Sequence, residues 1–289
     1  MKHTKRLSGL CMLLAIILIS TATLSCTKNT NEEENSMKLR YISFGHGTRT
    51  MIVLPGLSTG FVTDDATGVE GVFSDFLDDY TVYLFDPRDD VPEDYSISRM
   101  GDDVVSEIKD LGLSDLYMYG CSMGGMECIY IASKYPELVK KVAVASSSCK
   151  ANETSDKVVD TWVSLAKEGK KQELIESMGR LIYSDAVYEA NKEVFASMAD
   201  ALTDELTVRF INTASTIRGL DLTDEAKNIK CPVFVLGSLG DNVLTFGASV
   251  EISKLTGGEL CIYGEEYSHA VYDQAPDLRL KVKAFFDGE

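Results

Sequence analysis

Apolar residues in this chain fall into two alternating rhythms. Short β-prone runs cover Lys38–Phe44, Thr50–Leu54, Thr81–Phe85, Leu116–Tyr119, Val142–Ala145, Cys231–Gly237 and Leu260–Tyr263. Between them lie segments of helical period. Ile97, Met100, Val104, Val105, Ile108 and Leu111 recur every three or four residues, which predicts a helix over Ile97–Leu111. Met123–Tyr135 and Ala275–Phe286 read as helices on the same grounds. Early strands joined by Gly45-His46-Gly47-Thr48, followed by strand–helix alternation, predict an α/β fold with a mostly parallel sheet covered on both faces.

The rhythm changes between Ser146 and about Lys230. No strand-like run occurs there. Val158, Val159, Trp162 and Val163, then Leu174, Ile175, Met178, Leu181 and Ile182, then Phe195, Met198 and Leu202 keep helical spacing. This predicts a helical insertion between two strands, about residues 150–228, placed to serve as a cap over a site on the sheet. A cap must itself pack, so these apolar faces also have an ordinary structural reason.

The N-terminus follows a different plan. Lys2, Lys5 and Arg6 precede an apolar stretch, Leu7–Ile19, which is shorter than the roughly 20 residues of a spanning helix. This is the layout of a secretory signal over residues 1–25. Leu24-Ser25-Cys26 resembles a lipobox, although Thr23 stands where Leu is usual, and it predicts lipidation at Cys26. Residues 26–36, rich in Asn and Glu, read as a flexible tether. The single domain then runs over 37–289. The expected location is the bacterial cell envelope, with membrane contact only through the lipid anchor.

The formal net charge of −17 and the lack of a basic patch exclude nucleic acid as a partner. Seven cysteines are present, with no C-x-x-C pair and no zinc spacing, so no metal site is expected. Cys128, Cys231 and Cys261 lie in or beside apolar runs and read as small buried hydrophobes. The role of Cys121 stays open.

The one stretch dense in chemistry is Tyr119-Gly120-Cys121-Ser122-Met123-Gly124-Gly125. It reads as a nucleophile elbow, G-x-S-x-G, between a strand and a helix. The glycines fit because side chains two residues either side of the serine would strike the neighbouring strand and helix. The helix that follows aims its first N–H groups at the site, where they favour developing negative charge.

A serine hydroxyl needs a base. Downstream of the signal only His46 and His269 are available. His269 follows the last strand, at the carboxyl edge where α/β sheets hold their sites, and is the expected base. His46 sits in a turn between early strands. Asp241, in the Gly-rich loop after the Cys231–Gly237 strand, is the expected acid partner. Glu265 and Glu266 are fallbacks close to His269 in sequence, and Asp224 precedes the strand. An oxyanion needs two donors. The N–H of Met123 and that of Leu57, in Pro55-Gly56-Leu57-Ser58, are the candidates, and Ser58 could add its hydroxyl.

From Met37 to its end the chain resembles the α/β-hydrolase superfamily. The resemblance rests on Gly120-Cys121-Ser122-Met123-Gly124, Pro55-Gly56-Leu57, Asp86-Pro87-Arg88, the Gly237–Asp241 loop and His269. It implies an eight-stranded sheet, a helical cap after the sixth strand and a Ser122–Asp241–His269 triad. Two positions depart from the family pattern: Pro55 stands where His-Gly is frequent, and Asp89 follows Arg88 where Gly is usual. Members with an aspartate nucleophile, such as epoxide hydrolases and dehalogenases, are disfavoured by Ser122. The reading is a serine hydrolase of a small-molecule acyl substrate, foremost a carboxylic ester, with no metal or organic cofactor. Aminopeptidase, C–C hydrolase or cofactor-free peroxidase chemistry, or a silent ligand-binding lipoprotein, stay as alternatives, because function lives in the pocket and not in the fold.

Overall fold

The computed structural model describes residues 38–288. The signal reading of residues 1–25, lipidation of Cys26 and the tether over 26–36 lie outside the described residues.

Seven strands form one sheet: β1 (Tyr41–Phe44), β2 (Arg49–Leu54), β3 (Tyr80–Phe85), β4 (Leu116–Cys121), β5 (Val139–Ala145), β6 (Val233–Ser238) and β7 (Glu259–Tyr263). Their spatial order is β1-β3-β2-β4-β5-β6-β7. Only β1 runs antiparallel, with Tyr41 opposite Phe85. The early turn therefore does not close a hairpin, because β3 lies between β1 and β2. The resemblance implied eight strands, and seven are present among the described residues.

The helices are α1 (Ala66–Val72), α2 (Ile97–Asp110), α3 (Met123–Lys134), α4 (Glu153–Lys167), α5 (Lys171–Ile182), α6 (Asp185–Ala190), α7 (Lys192–Ala201), α8 (Asp204–Ser215), α9 (Thr223–Asn228), α10 (Phe246–Thr256), α11 (Val271–Gln274) and α12 (Leu278–Asp287). The start of α2 is fixed by Ser96, whose side chain accepts from the Arg99 N–H, and its apolar stripe is buried as its period predicts. The C-terminal helix begins later than its sequence pattern predicts. Pro276 disfavours helical backbone at the residue before it, and Ala275 is extended.

The central strands β2, β4, β5 and β6 are covered on both faces, and every residue of β6 is buried. That accounts for their unbroken apolar runs. The parallel register aligns the strand ends: Leu54 of β2 faces Gly120 of β4, and Cys121 faces Ala145 of β5. The loops that follow β2, β4, β6 and β7 thus emerge along one edge of the sheet.

Helices α4 to α8 form the insertion after β5. Its neck is closed by an antiparallel bridge between Lys150 and Asp221, which also form an ion pair of 3.1 Å. Within it α4 packs on α5 and α8, and α5 packs on α7. A reciprocal Asn152–Ser155 capping box fixes the start of α4. Helix α9 packs on α3 and α10, on the sheet side of the neck. Among the described residues no helix is long and apolar enough to cross a membrane.

Candidate active site

The turn between β4 and α3 holds Ser122 at φ 50° and ψ −119°. Left-handed backbone is costly for a residue with a side chain, on the order of 1–3 kcal/mol, and persists only where the surroundings enforce it. Here they do. The Ser122 N–H continues the sheet ladder to Ala145 O (2.9 Å), while its carbonyl accepts from Gly125 N (3.0 Å) and from Ser147 Oγ (2.8 Å). A Cβ on Gly124 would lie 2.1 Å from the Leu54 carbonyl oxygen, and one on Gly120 would lie 2.4 Å from the Gly124 oxygen. The glycines are there because two backbones pass within contact of each other.

Ser122 is 8% exposed and His269 is 2% exposed. Ser122 Oγ lies 2.9 Å from His269 Nε2, and His269 Nδ1 lies 3.0 Å from Asp241 Oδ2. The other Asp241 oxygen, Oδ1, accepts from Val243 N and Leu244 N, each at 2.9 Å. Burial works to raise the Asp241 pKa, but the facing imidazole and these two amides outweigh it, and the group sits below the usual carboxylate range. An ionised carboxylate can only accept, so the imidazole proton lies on Nδ1 and the bare Nε2 accepts from the Ser122 hydroxyl. The chain of contacts is a polarised path from hydroxyl to carboxylate.

Other sequence candidates lie elsewhere. His46 is at the surface, 3.2 Å from Asp78. Glu265 and Glu266 are exposed, and Asp224 pairs with Lys227 on the exterior. Ser58 donates its hydroxyl to Gly60 O (2.6 Å) and so is not free to serve an oxyanion. Cys121 is buried beside Tyr119, where burial pushes its thiol up to about 12, a range that makes it inert. The five described cysteines are free thiols. Cys128 is buried as its apolar run predicts, whereas Cys231 and Cys261 are only half-buried, Cys261 because β7 is an edge strand.

The loop after β2 closes against the elbow. A Cβ on Gly56 would stand 3.2 Å from Ser122 Cβ. Met123 is the first residue of α3, so its N–H has no partner within the helix. Among the described residues the Leu57 N–H donates to no protein acceptor. Two free amides therefore flank the serine, which is the donor set a developing oxyanion requires.

Arg209, on α8, stands in no motif of the sequence. It is buried, and its guanidinium donates to Pro87 O (2.8 Å), Arg88 O (3.1 Å) and Gly60 O (3.3 Å) while stacking 4.2 Å over the Phe61 ring. A lone arginine in an amphipathic helix carries no local signal of such a role. Asp86, at the end of β3, accepts from Val62 N, Thr63 N and Thr63 Oγ1 and fixes the next part of the same loop.

Over the serine lies a narrow cavity. It is lined by Leu57, Ser122, Val159, Trp162, Ile182, Ile217, Val243, Leu244, His269 and Tyr272. The insertion supplies four of these, Val159, Trp162, Ile182 and Ile217. Among the described residues no group of three or more His, Cys, Asp or Glu side chains is placed to hold a metal ion.

The family model for the alpha/beta hydrolase fold matches residues 49–258. The chain is 24% identical to RutD of Rhizobium rhizogenes, a proposed carbamate hydrolase, over 79% of this chain and 88% of that protein. Among solved structures it is similar to MGS-M2, an alpha/beta hydrolase enzyme from a Medee basin deep-sea metagenome library, with a TM-score of 0.77 at 20% identity over 87% of this chain and 94% of the other. It is also similar to the enol-lactonase from Burkholderia xenovorans LB400, with a TM-score of 0.73 at 20% identity over 88% and 98% of the two chains.

Proposed function

The chain belongs to the alpha/beta hydrolase fold family, and from that membership we propose that it is a serine hydrolase that cleaves an acyl bond, foremost that of a carboxylic ester. The observation that carries this reading is the buried path Ser122 Oγ–His269 Nε2–His269 Nδ1–Asp241 Oδ2, with contacts of 2.9 and 3.0 Å.

Ser122 Oγ bonds to the acyl carbon as its proton passes to His269 Nε2. The carbonyl electrons move onto oxygen, where the Leu57 and Met123 amides hold the negative charge. Asp241 stabilises the imidazolium without taking its proton. Collapse breaks the bond to the leaving group, which departs with the proton from Nε2. Water then repeats the sequence on the acyl-enzyme and frees the acid. The inserted helices act as a cap that keeps bulk water from the ionised pair and so strengthens each electrostatic contact. The names of similar proteins, an enol-lactonase and a proposed carbamate hydrolase, describe acyl carbons bonded to oxygen or nitrogen. That agrees with an ester as the first substrate class to test.

The test uses residues 37–289, a fluorophosphonate probe and p-nitrophenyl esters from acetate to palmitate. Labelling and turnover that both vanish in Ser122→Ala are the expected result. A folded wild type that neither labels nor turns over any ester overturns the reading.

We also propose, on the N-terminal pattern, that the mature protein is held at the bacterial cell envelope through a lipidated Cys26. Cys26→Ser should release it from the membrane fraction. Unchanged fractionation counts against the anchor.

A further inference from the structure

Beside the serine cavity lies a second chamber, and the two share a wall made of Leu57 and Ile182. The second is a narrow space lined by Ile175, Met178, Phe195 and Met198 of α5 and α7, with Tyr183 and the loop residues Ser58 and Thr59 at its sides. Its polar groups are partly spoken for. The Ser58 hydroxyl donates to Gly60 O at 2.6 Å, and the Tyr183 hydroxyl donates to Asp273 Oδ2 at 3.2 Å. What the chamber offers a ligand is mainly hydrocarbon.

The chemistry assigns the two spaces to the two halves of a substrate. The leaving group receives its proton from His269 Nε2, so it must depart on the side where His269 is part of the wall. That is the serine cavity, with Val159, Trp162, Val243 and Leu244 around it. The second chamber touches neither Ser122 nor His269. The two spaces meet at Leu57, whose amide faces the carbonyl oxygen in the proposed reaction. A group entering there is attached to the acyl carbon on the side away from the departing oxygen.

We infer that the chamber between α5 and α7 is the acyl subsite, and that the substrate carries an apolar acyl group. This rests on the serine-hydrolase reading above and adds the class of acid released. Burying each methylene there contributes about 0.8 kcal/mol, so preference should rise with chain length until the chamber is full.

Met198 is half-buried at the chamber wall, a position where a larger side chain can be tried without rebuilding the core. The experiment compares two ratios of kcat/KM in wild type and Met198→Trp: p-nitrophenyl octanoate over p-nitrophenyl acetate, and octyl acetate over ethyl acetate. The first pair varies the acyl chain and the second varies the leaving group. Filling the chamber should lower the first ratio tenfold or more and move the second by less than threefold. Met178→Ala, which enlarges the same space, should shift the best acyl length upward and serves if the tryptophan variant does not fold. A fall in the second ratio instead, or equal falls in both, overturns the assignment. So does an unchanged first ratio in a variant whose Ser122 still takes the fluorophosphonate, and that result leaves the hydrolase reading standing. Absence of labelling in folded wild type removes both readings together.

Discussion

Arg209 donates from Nη1 to the carbonyl of Gly60 across 3.3 Å, and this bond joins helix α8 of the insertion to the loop that carries Leu57. The same guanidinium holds the carbonyls of Pro87 and Arg88, at the end of β3. Three segments far apart in sequence therefore meet on one planar group, whose fork of donors suits several acceptors at once.

Arg209→Met should leave those three carbonyls, one buried and two partly buried, without this donor. The expected destabilisation is about 3 kcal/mol or more, read as a lower urea midpoint at constant slope. The Leu57 loop should loosen with it, slowing fluorophosphonate labelling of Ser122 in protein that is still folded. Arg209→Lys should recover little of either effect, because one ammonium cannot reach all three oxygens. Full recovery in the lysine variant would show that charge, and not the fork, is what matters.

Asp241→Asn should keep the fold and lose turnover. The amide can donate to Nδ1, which favours the tautomer with its proton on Nε2, where it faces the Ser122 hydroxyl. A loss of about 10⁴-fold in kcat is expected from the behaviour of such triads. Steady-state kinetics on a p-nitrophenyl ester, with a matched circular dichroism spectrum, decides it. A loss smaller than tenfold would mean that Asp241 is not the partner that matters.

Glu127, on α3, is 3% exposed, and burial first, then the charge of Asp103, pushes its carboxyl up to about 8 from an ordinary 4.5. A carboxyl whose pKa is raised on folding binds its proton more tightly in the native state than in the unfolded one. Stability should therefore fall as pH rises from about 4.5 to about 8, and level off above that. The size is a few kcal/mol by order of magnitude. Glu127→Gln should flatten this slope and be more stable than wild type at pH 9. Urea melts across that range check it, and parallel slopes in the two proteins would contradict it.

Gly124→Ala should prevent productive folding. Its Cβ would stand 2.1 Å from the Leu54 oxygen, a backbone atom that cannot rotate away. Gly71, where an added methyl would meet no atom within 4 Å, is the matched control on another helix. Soluble yield and thermal unfolding separate the two, and a Gly124→Ala protein as soluble as Gly71→Ala would be evidence against the close approach.

Features that depend on neighbours along the chain are legible in the sequence. The strand before Ser122, the glycines around it and the helix after it are one contiguous pattern, and the period of α2 marks its buried face. Asp241 and His269 stand out as candidates because each follows a β-prone run. The choice of acid is another matter. Glu265 and Glu266 are nearer to His269 along the chain, yet both are exposed to solvent, while Asp241 reaches it from the end of a neighbouring strand. The eighth strand is an inference from resemblance, and the lead before β1 does not supply one among the described residues.

The sequence by itself determined the alternation of strands and helices, the elbow and the inserted helical stretch, because local backbone preference and hydrophobic period are properties of adjacent residues. Tertiary structure alone decided which carboxylate faces the imidazole, that Ser58 spends its hydroxyl on Gly60, that Arg209 ties its helix to two loops and that two chambers share Leu57 and Ile182. Most of those facts depend on distances between residues separated by tens to more than a hundred positions. The parallel register of the sheet, which brings the strand ends to one edge, converts the separations within the Ser122–His269–Asp241 path into contacts of about 3 Å, and packing of the inserted helices does the same for Arg209.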